Sequence, residues 1–146
     1  MAITSAICNS FKQEILEAEH NFTASTGNTF NLALYTSSAT LGAGTTAYTT
    51  TEEITNTSGT AYTAKGKALT SVTPTLDSST AVCDFADVSW TSASFTANGC
   101  LIFNDSHSTD AAVCAIAFGW DKTVSSGTFT IQFPAAAATT AIIRIA

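Results

Sequence analysis

The residues of this chain that could do chemistry are two histidines, four cysteines and a scatter of aspartates. Ser106, His107 and Asp110 lie close together in sequence and have the residue types of a hydrolytic triad. That chemistry needs the serine, the base and the orienting acid in mutual contact, which closeness along a loop does not create. His107 therefore reads as a solvated loop residue. His20 reads as a cap for the last carbonyls of a helix. No GxSxG elbow, phosphate loop or HExxH is present. Asp84 with Asp87, or Asn104 with Asp105 and Asp110, could offer hard oxygen ligands to calcium, but without an EF-hand pattern. Asp84, set among apolar neighbours, reads more simply as a hydrogen-bonded structural carboxylate. Cys8, Cys83, Cys100 and Cys114 form no CxxC pair. They read as small buried hydrophobes, with one disulfide between neighbouring strands left open. The tripeptides starting at Asn21, Asn56 and Asn104 match the glycosylation pattern, as chance allows in a chain rich in Thr and Ser. The residues thus predict no catalytic group, no bound metal and no cofactor.

The elements that would position these groups are mostly strands. Cys114, Ile116, Phe118 and Trp120 alternate with Ala115 and Ala117, and Phe129, Ile131 and Phe133 repeat the alternation. Two amphipathic strands joined by a polar turn, Asp121 to Gly127, follow from that period of two, and the pattern favours burial of Trp90 and Trp120. Phe30 to Tyr35 is a strand. Ala68 to Thr73 is another, stopped near Pro74. Ala81 to Trp90 is apolar on both faces and predicts a central strand, with a bulge as the alternative. Ala97-Asn98-Gly99 reads as a turn before a strand over Cys100 to Asn104, and residues 141–146 close the chain as a strand. One helix is expected, over residues 5–20, because Ile7, Phe11, Ile15, Ala18 and Phe22 make a single stripe. It either closes the sheet or docks on a neighbouring subunit. The organisation expected is an N-terminal helical segment, 1–22, and one body, 23–146, with a long ordered loop at 36–62 anchored by Tyr48, Ile54 and Tyr62. The fold class is all-β: a two-sheet β-sandwich, jelly-roll-like or immunoglobulin-like, with one N-terminal amphipathic helix. The cysteine and tryptophan spacing departs from that of a true immunoglobulin domain.

Charge narrows the partners. Five Lys and Arg stand against eleven Asp and Glu, a net charge of -6, and charged residues are only 11% of the 146. Phosphate contacts need many more cations, so nucleic acid is not an expected partner. No apolar run is long enough for a membrane-spanning helix. The first residues lack the basic and apolar regions of a signal peptide. A surface of hydroxyls and methyls suits contact with protein. The candidates for such contacts are Phe11, Ile15, Phe22, Tyr35, Leu41, Tyr48, Ile54, Tyr62 and Trp120.

Several stretches carry a resemblance: SFKQEILEAEHNF, TFNLALYTSSATLGAGTTAYTTTEEI, YTAKGKALTSVTP, VCDFADVSWTSASFTANGCLIFN, FGWDKTVSSGTFTIQFP and IIRIA. ALYTSSATLG and DKTVSSGTFTIQFP are the most specific of them. Together they resemble small structural proteins of tailed bacteriophages, especially those of aquatic bacteria. The resemblance implies a virion component, assembled in the host cytoplasm. It further implies a head decoration or cement protein on the outer capsid surface, with the major capsid protein and copies of itself, as a trimer, for partners. It brings no catalytic residue and no small-molecule substrate. A tail or baseplate protein, or a small receptor-binding fibre domain, is the alternative. A secreted carbohydrate-binding or hydrolytic module would need exposed aromatic platforms or a carboxylate pair.

Overall fold

The computed structural model describes residues 2–146; Met1 lies outside the described residues. The chain forms β1 (Ala6–Ile7), α1 (Asn9–Leu16), β2 (Phe30–Tyr35), β3 (Lys67–Ala68), β4 (Ser71–Asp77), β5 (Thr80–Phe85), β6 (Val88–Asn104), β7 (Ala111–Ile131) and β8 (Ile143–Ile145). Two sheets result, a five-stranded one in the order β1-β7-β6-β2-β3 and a three-stranded one in the order β4-β5-β8. Every strand pairing is antiparallel. The all-β, two-sheet expectation with one short helix is therefore met.

Between the sheets lies an aromatic core. Phe22 stacks on Phe30 at 4.2 Å, and both rings approach Phe85 of β5. Trp90 is buried against Tyr62, Phe95 and Phe129. Its indole N–H has no partner, a local cost accepted where a large ring fills the interior. All four cysteines are free and buried. Burial pushes the Cys8 thiol up to about 11, and those of Cys83 and Cys100 up to about 12, so these thiols are packing groups and not nucleophiles.

The two strands expected on either side of a turn at Asp121–Gly127 are one continuous strand, β7, and the turn expected at Ala97–Gly99 is an interior part of β6. The two strands form one long antiparallel ladder, Val88↔Ile131 to Asn104↔Ala111, interrupted by register shifts. The polar residues sit in those irregularities. Ser92, Gly119 and Ser126 take positive φ there, which bends the ladder while the pairing continues on both sides. The bend brings Phe118 and Phe129 within 6.3 Å of one another.

Ala81–Trp90 does not run as one strand. It breaks at Ala86 and Asp87, between β5 of the small sheet and β6 of the large one. That change of sheet explains why both faces carried apolar residues. β4 continues through Pro74, at the register shift between Val72 and Thr75, where a missing N–H is tolerated. The helix is shorter than expected, because Ala6 and Ile7 pair with Ala115 and Cys114. Cys8 occupies its N-cap without a side-chain bond. Ala18 in the left-handed region follows its last turn. Phe11 anchors the helix in the core, so it packs on the body.

Gly66 fixes the entry to β3. Its φ is +66°, and a Cβ there would lie 1.8 Å from the Leu32 carbonyl oxygen. Gly66→Ala is expected to cost about 2–3 kcal/mol in urea unfolding. A loss under about 0.5 kcal/mol, the range of an ordinary surface change, would show that this approach is not tight.

Candidate functional site

The long segment after β2 is ordered around one buried carboxylate. Glu53 is 8% exposed. Its Oε1 accepts from the Tyr62 hydroxyl at 2.7 Å and from the Lys65 backbone N–H at 2.8 Å, and its Oε2 accepts from the Tyr48 hydroxyl at 2.5 Å. The Tyr62 hydroxyl in turn accepts from the Leu34 N–H at 2.9 Å. Ile54 N–H donates to the Leu34 carbonyl, and Thr36 N–H to that of Glu52. β3 pairs with β2 at Asn31 and Leu32, so the Glu53 assembly completes the rest of that edge. Tyr35 adds a bond from its hydroxyl to the Thr49 carbonyl at 2.7 Å.

These contacts shift the phenols in one direction. Burial, and then the Glu53 carboxylate, push Tyr48 up to about 12. The same causes, in the same order, hold Tyr62 and Tyr35 well above the ordinary tyrosine range. Beside them Lys65 bridges Asp110 at 2.8 Å and Asp105 at 2.9 Å, and those two carboxylates hold its ammonium above the usual lysine range. Its Nζ also stands 5.8 Å from the Tyr48 ring centroid. Reading the sequence passed over Glu53. Its signal was an acidic pair, Glu52-Glu53, in a tract otherwise without charge and flanked by tyrosines.

A second polar cluster lies behind α1. His20 does not cap the helix, which ends at Leu16. It is buried, with Nε2 at 2.8 Å from Glu14 Oε2 and Nδ1 at 3.1 Å from Asn104 Nδ2. His107 stacks on it at 6.2 Å between ring centroids and places Nε2 3.5 Å from Glu19 Oε2.

The triad types do not meet. Ser106 Oγ accepts from Thr29 N–H, His107 Nδ1 faces Thr109 Oγ1, and Asp110 is engaged by Lys65. The oxygens considered for calcium are likewise engaged. Asp84 accepts from the Phe85 N–H and Asp87 from that of Phe133. Among the described residues no group of three His, Cys, Asp or Glu is placed to hold a metal ion.

The contact candidates chosen for size and apolarity sit mostly inside. Phe11, Phe22, Tyr35, Leu41, Ile54 and Tyr62 are buried, and Ile15 and Tyr48 are half-buried against the core. Trp120 is 68% exposed, against the burial its strand pattern predicts. The reason is local: Phe118–Asp121 of β7 stand opposite the single residue Asn98 of β6, and this wide bulge carries the indole outward. Lys122 Nζ lies over its ring, 3.2 Å from the centroid.

Leu76 and Ile145, which drew no notice in the sequence, are exposed at 73% and 59%. They flank Ala81 in register, Leu76↔Ala81↔Ile145, and so form one row across a face of the small sheet. That row adjoins a cleft of about 530 Å³ between α1 and β4-β5-β8, lined by Phe11, Ile15, Cys83 and Ile143. A second apolar groove, of about 430 Å³, lies on β7 and is lined by Phe118, Phe129 and Phe133. Compared with protein family models, characterised proteins and solved structures, the chain matches none.

Two outcomes test the Glu53 assembly. Glu53→Ala strands two hydroxyls and an N–H and is expected to cost about 3 kcal/mol, while Glu53→Gln, which keeps one acceptor, costs about 1 kcal/mol. Equal, small losses in denaturant unfolding would contradict the geometry. The fold also holds the phenolic protons more tightly than the unfolded chain does. Their stabilisation is therefore whole below about pH 10 and is lost as pH rises towards about 12. Tyr48→Phe should flatten that alkaline decline, measured by unfolding across the range; an unchanged slope would remove Tyr48 as its source.

Proposed function

We propose that this protein is a virion structural component of a tailed bacteriophage, a decoration or cement protein seated on the outer surface of the head. It works by contact, without catalysis, cofactor or small-molecule substrate. The major capsid protein and further copies of the same chain, as a trimer, are its partners, and assembly takes place in the host cytoplasm. Within this reading the two sheets form a jelly-roll-like or immunoglobulin-like sandwich.

The observation that carries the proposal is the exposed row Leu76–Ala81–Ile145 on a lightly charged body. Apolar side chains set side by side at the surface gain free energy when another protein covers them. Trp120 adds a projecting aromatic, the kind of residue that anchors interfaces. The polar groups offer little competing chemistry, since Glu53, His20, Asp84 and Asp87 are all engaged in internal bonds. The phage assignment, as distinct from a contact role, rests on the resemblance of ALYTSSATLG and DKTVSSGTFTIQFP.

A density map of the intact particle tests the location. Copies arrayed over the shell are expected; density confined to the tail would replace this reading with the tail or fibre alternative. A binding measurement tests the surface. Leu76→Ser with Ile145→Ser should leave unfolding stability within about 0.5 kcal/mol and weaken binding to undecorated shells about tenfold or more. Unchanged binding would remove the row from the interface.

A further inference from the structure

We propose that His20 is an acid-operated latch between α1 and β6. Its basis is the hydrogen-bond pattern around one fully buried amide, independent of the function proposed above. Asn104 is 0% exposed. Its orientation is fixed by two backbone groups: Oδ1 accepts from the Ser106 N–H at 3.0 Å, and Nδ2 donates to the Glu19 carbonyl at 3.3 Å. The amide therefore presents N–H to His20 Nδ1 at 3.1 Å. An imidazole nitrogen that accepts a hydrogen bond carries no proton. His20 Nε2 then bears the hydrogen and donates it to Glu14 Oε2 at 2.8 Å. The neutral ring thus joins two elements, α1 through Glu14 and β6 through Asn104.

A proton taken from water has one place to go on this ring, Nδ1. There it would meet the Asn104 N–H group, donor against donor. The Glu14 bond survives protonation and gains charge, while the Asn104 bond is lost. The cation stays with the helix and parts from the sheet.

Glu14 on α1 pairs with His20 Nε2, and Glu19 just after the helix faces His107. The His107 ring, from the β6–β7 loop, stacks on His20, and Arg144 of β8 and Cys83 of β5 line the same cleft. Phe11, Phe22 and Phe30 pack around the ring and offer no acceptor to a second N–H.

Imidazole nitrogen shifts and amide hydrogen exchange, followed in the full chain from about pH 8 to about pH 5, span the range in which a free imidazole takes its proton. The expected result is a single Nε2–H tautomer at the higher pH. At the lower pH the residue 9–16 amides should exchange about five- to tenfold faster after correction for intrinsic rates, a factor set by one lost hydrogen bond. Asn104→Asp would accept from the protonated Nδ1 and should abolish the response. His20→Phe, which suits the aromatic cluster and does not titrate, should abolish it too, and serves if the first variant does not fold. An Nδ1–H tautomer at the higher pH, unchanged helix protection at the lower one, or the same acid loss in His20→Phe would each overturn the proposal.

Discussion

The fold depends on finding partners for one carboxylate. Placing Glu53 inside an apolar body costs several kcal/mol unless its oxygens are hydrogen-bonded. Two tyrosine hydroxyls and one backbone N–H do this. Those donors are spread along the segment from Tyr48 to Lys65, so satisfying the charge gathers that segment. The gathered segment then closes the open edge of β2 through Tyr62 and Ile54. An unpaired strand edge is a site of unwanted association. One buried charge therefore orders a Thr- and Gly-rich tract with little apolar content of its own, and covers a sheet edge with it.

This arrangement separates inside from outside by chemical type. Carboxylates and imidazoles that could act on a substrate are held by internal partners: Lys65 between Asp105 and Asp110, His20 between Glu14 and Asn104. Large apolar groups stand exposed on the small sheet and on the bulge of β7. Under the proposed contact role, covering these exposed groups needs no polar partner to be given up first.

How much of this was legible in the sequence varied with the element. Phe30–Tyr35 was readable to the residue, since unbroken apolar alternation has no competing interpretation. The free cysteines and the structural role of Asp84 followed from their apolar neighbours. The sequences of β6 and β7 each read as shorter strands divided by a turn because Asn98-Gly99 and Ser125-Ser126-Gly127 have turn chemistry, and here it serves bulges within a continuing ladder. Local sequence encodes the bend; the strand on the far side decides whether pairing resumes. Among the contact candidates, selection by size and apolarity mostly returned core residues, since the same property drives both. Leu76 and Ile145 were invisible, because their row comes from the register of the distant β8 on the β4–β5 hairpin.

Native-state hydrogen exchange on the unmodified protein tests the Glu53 account most directly. If the buried carboxylate ties residues 36–65 to β2, the amides of Thr36, Ile54 and Lys65 will open only with the five-stranded sheet, at the free energy of global unfolding. Exchange of those three amides at a markedly lower free energy than the β2 and β6 amides would show a segment that opens independently, and would contradict it.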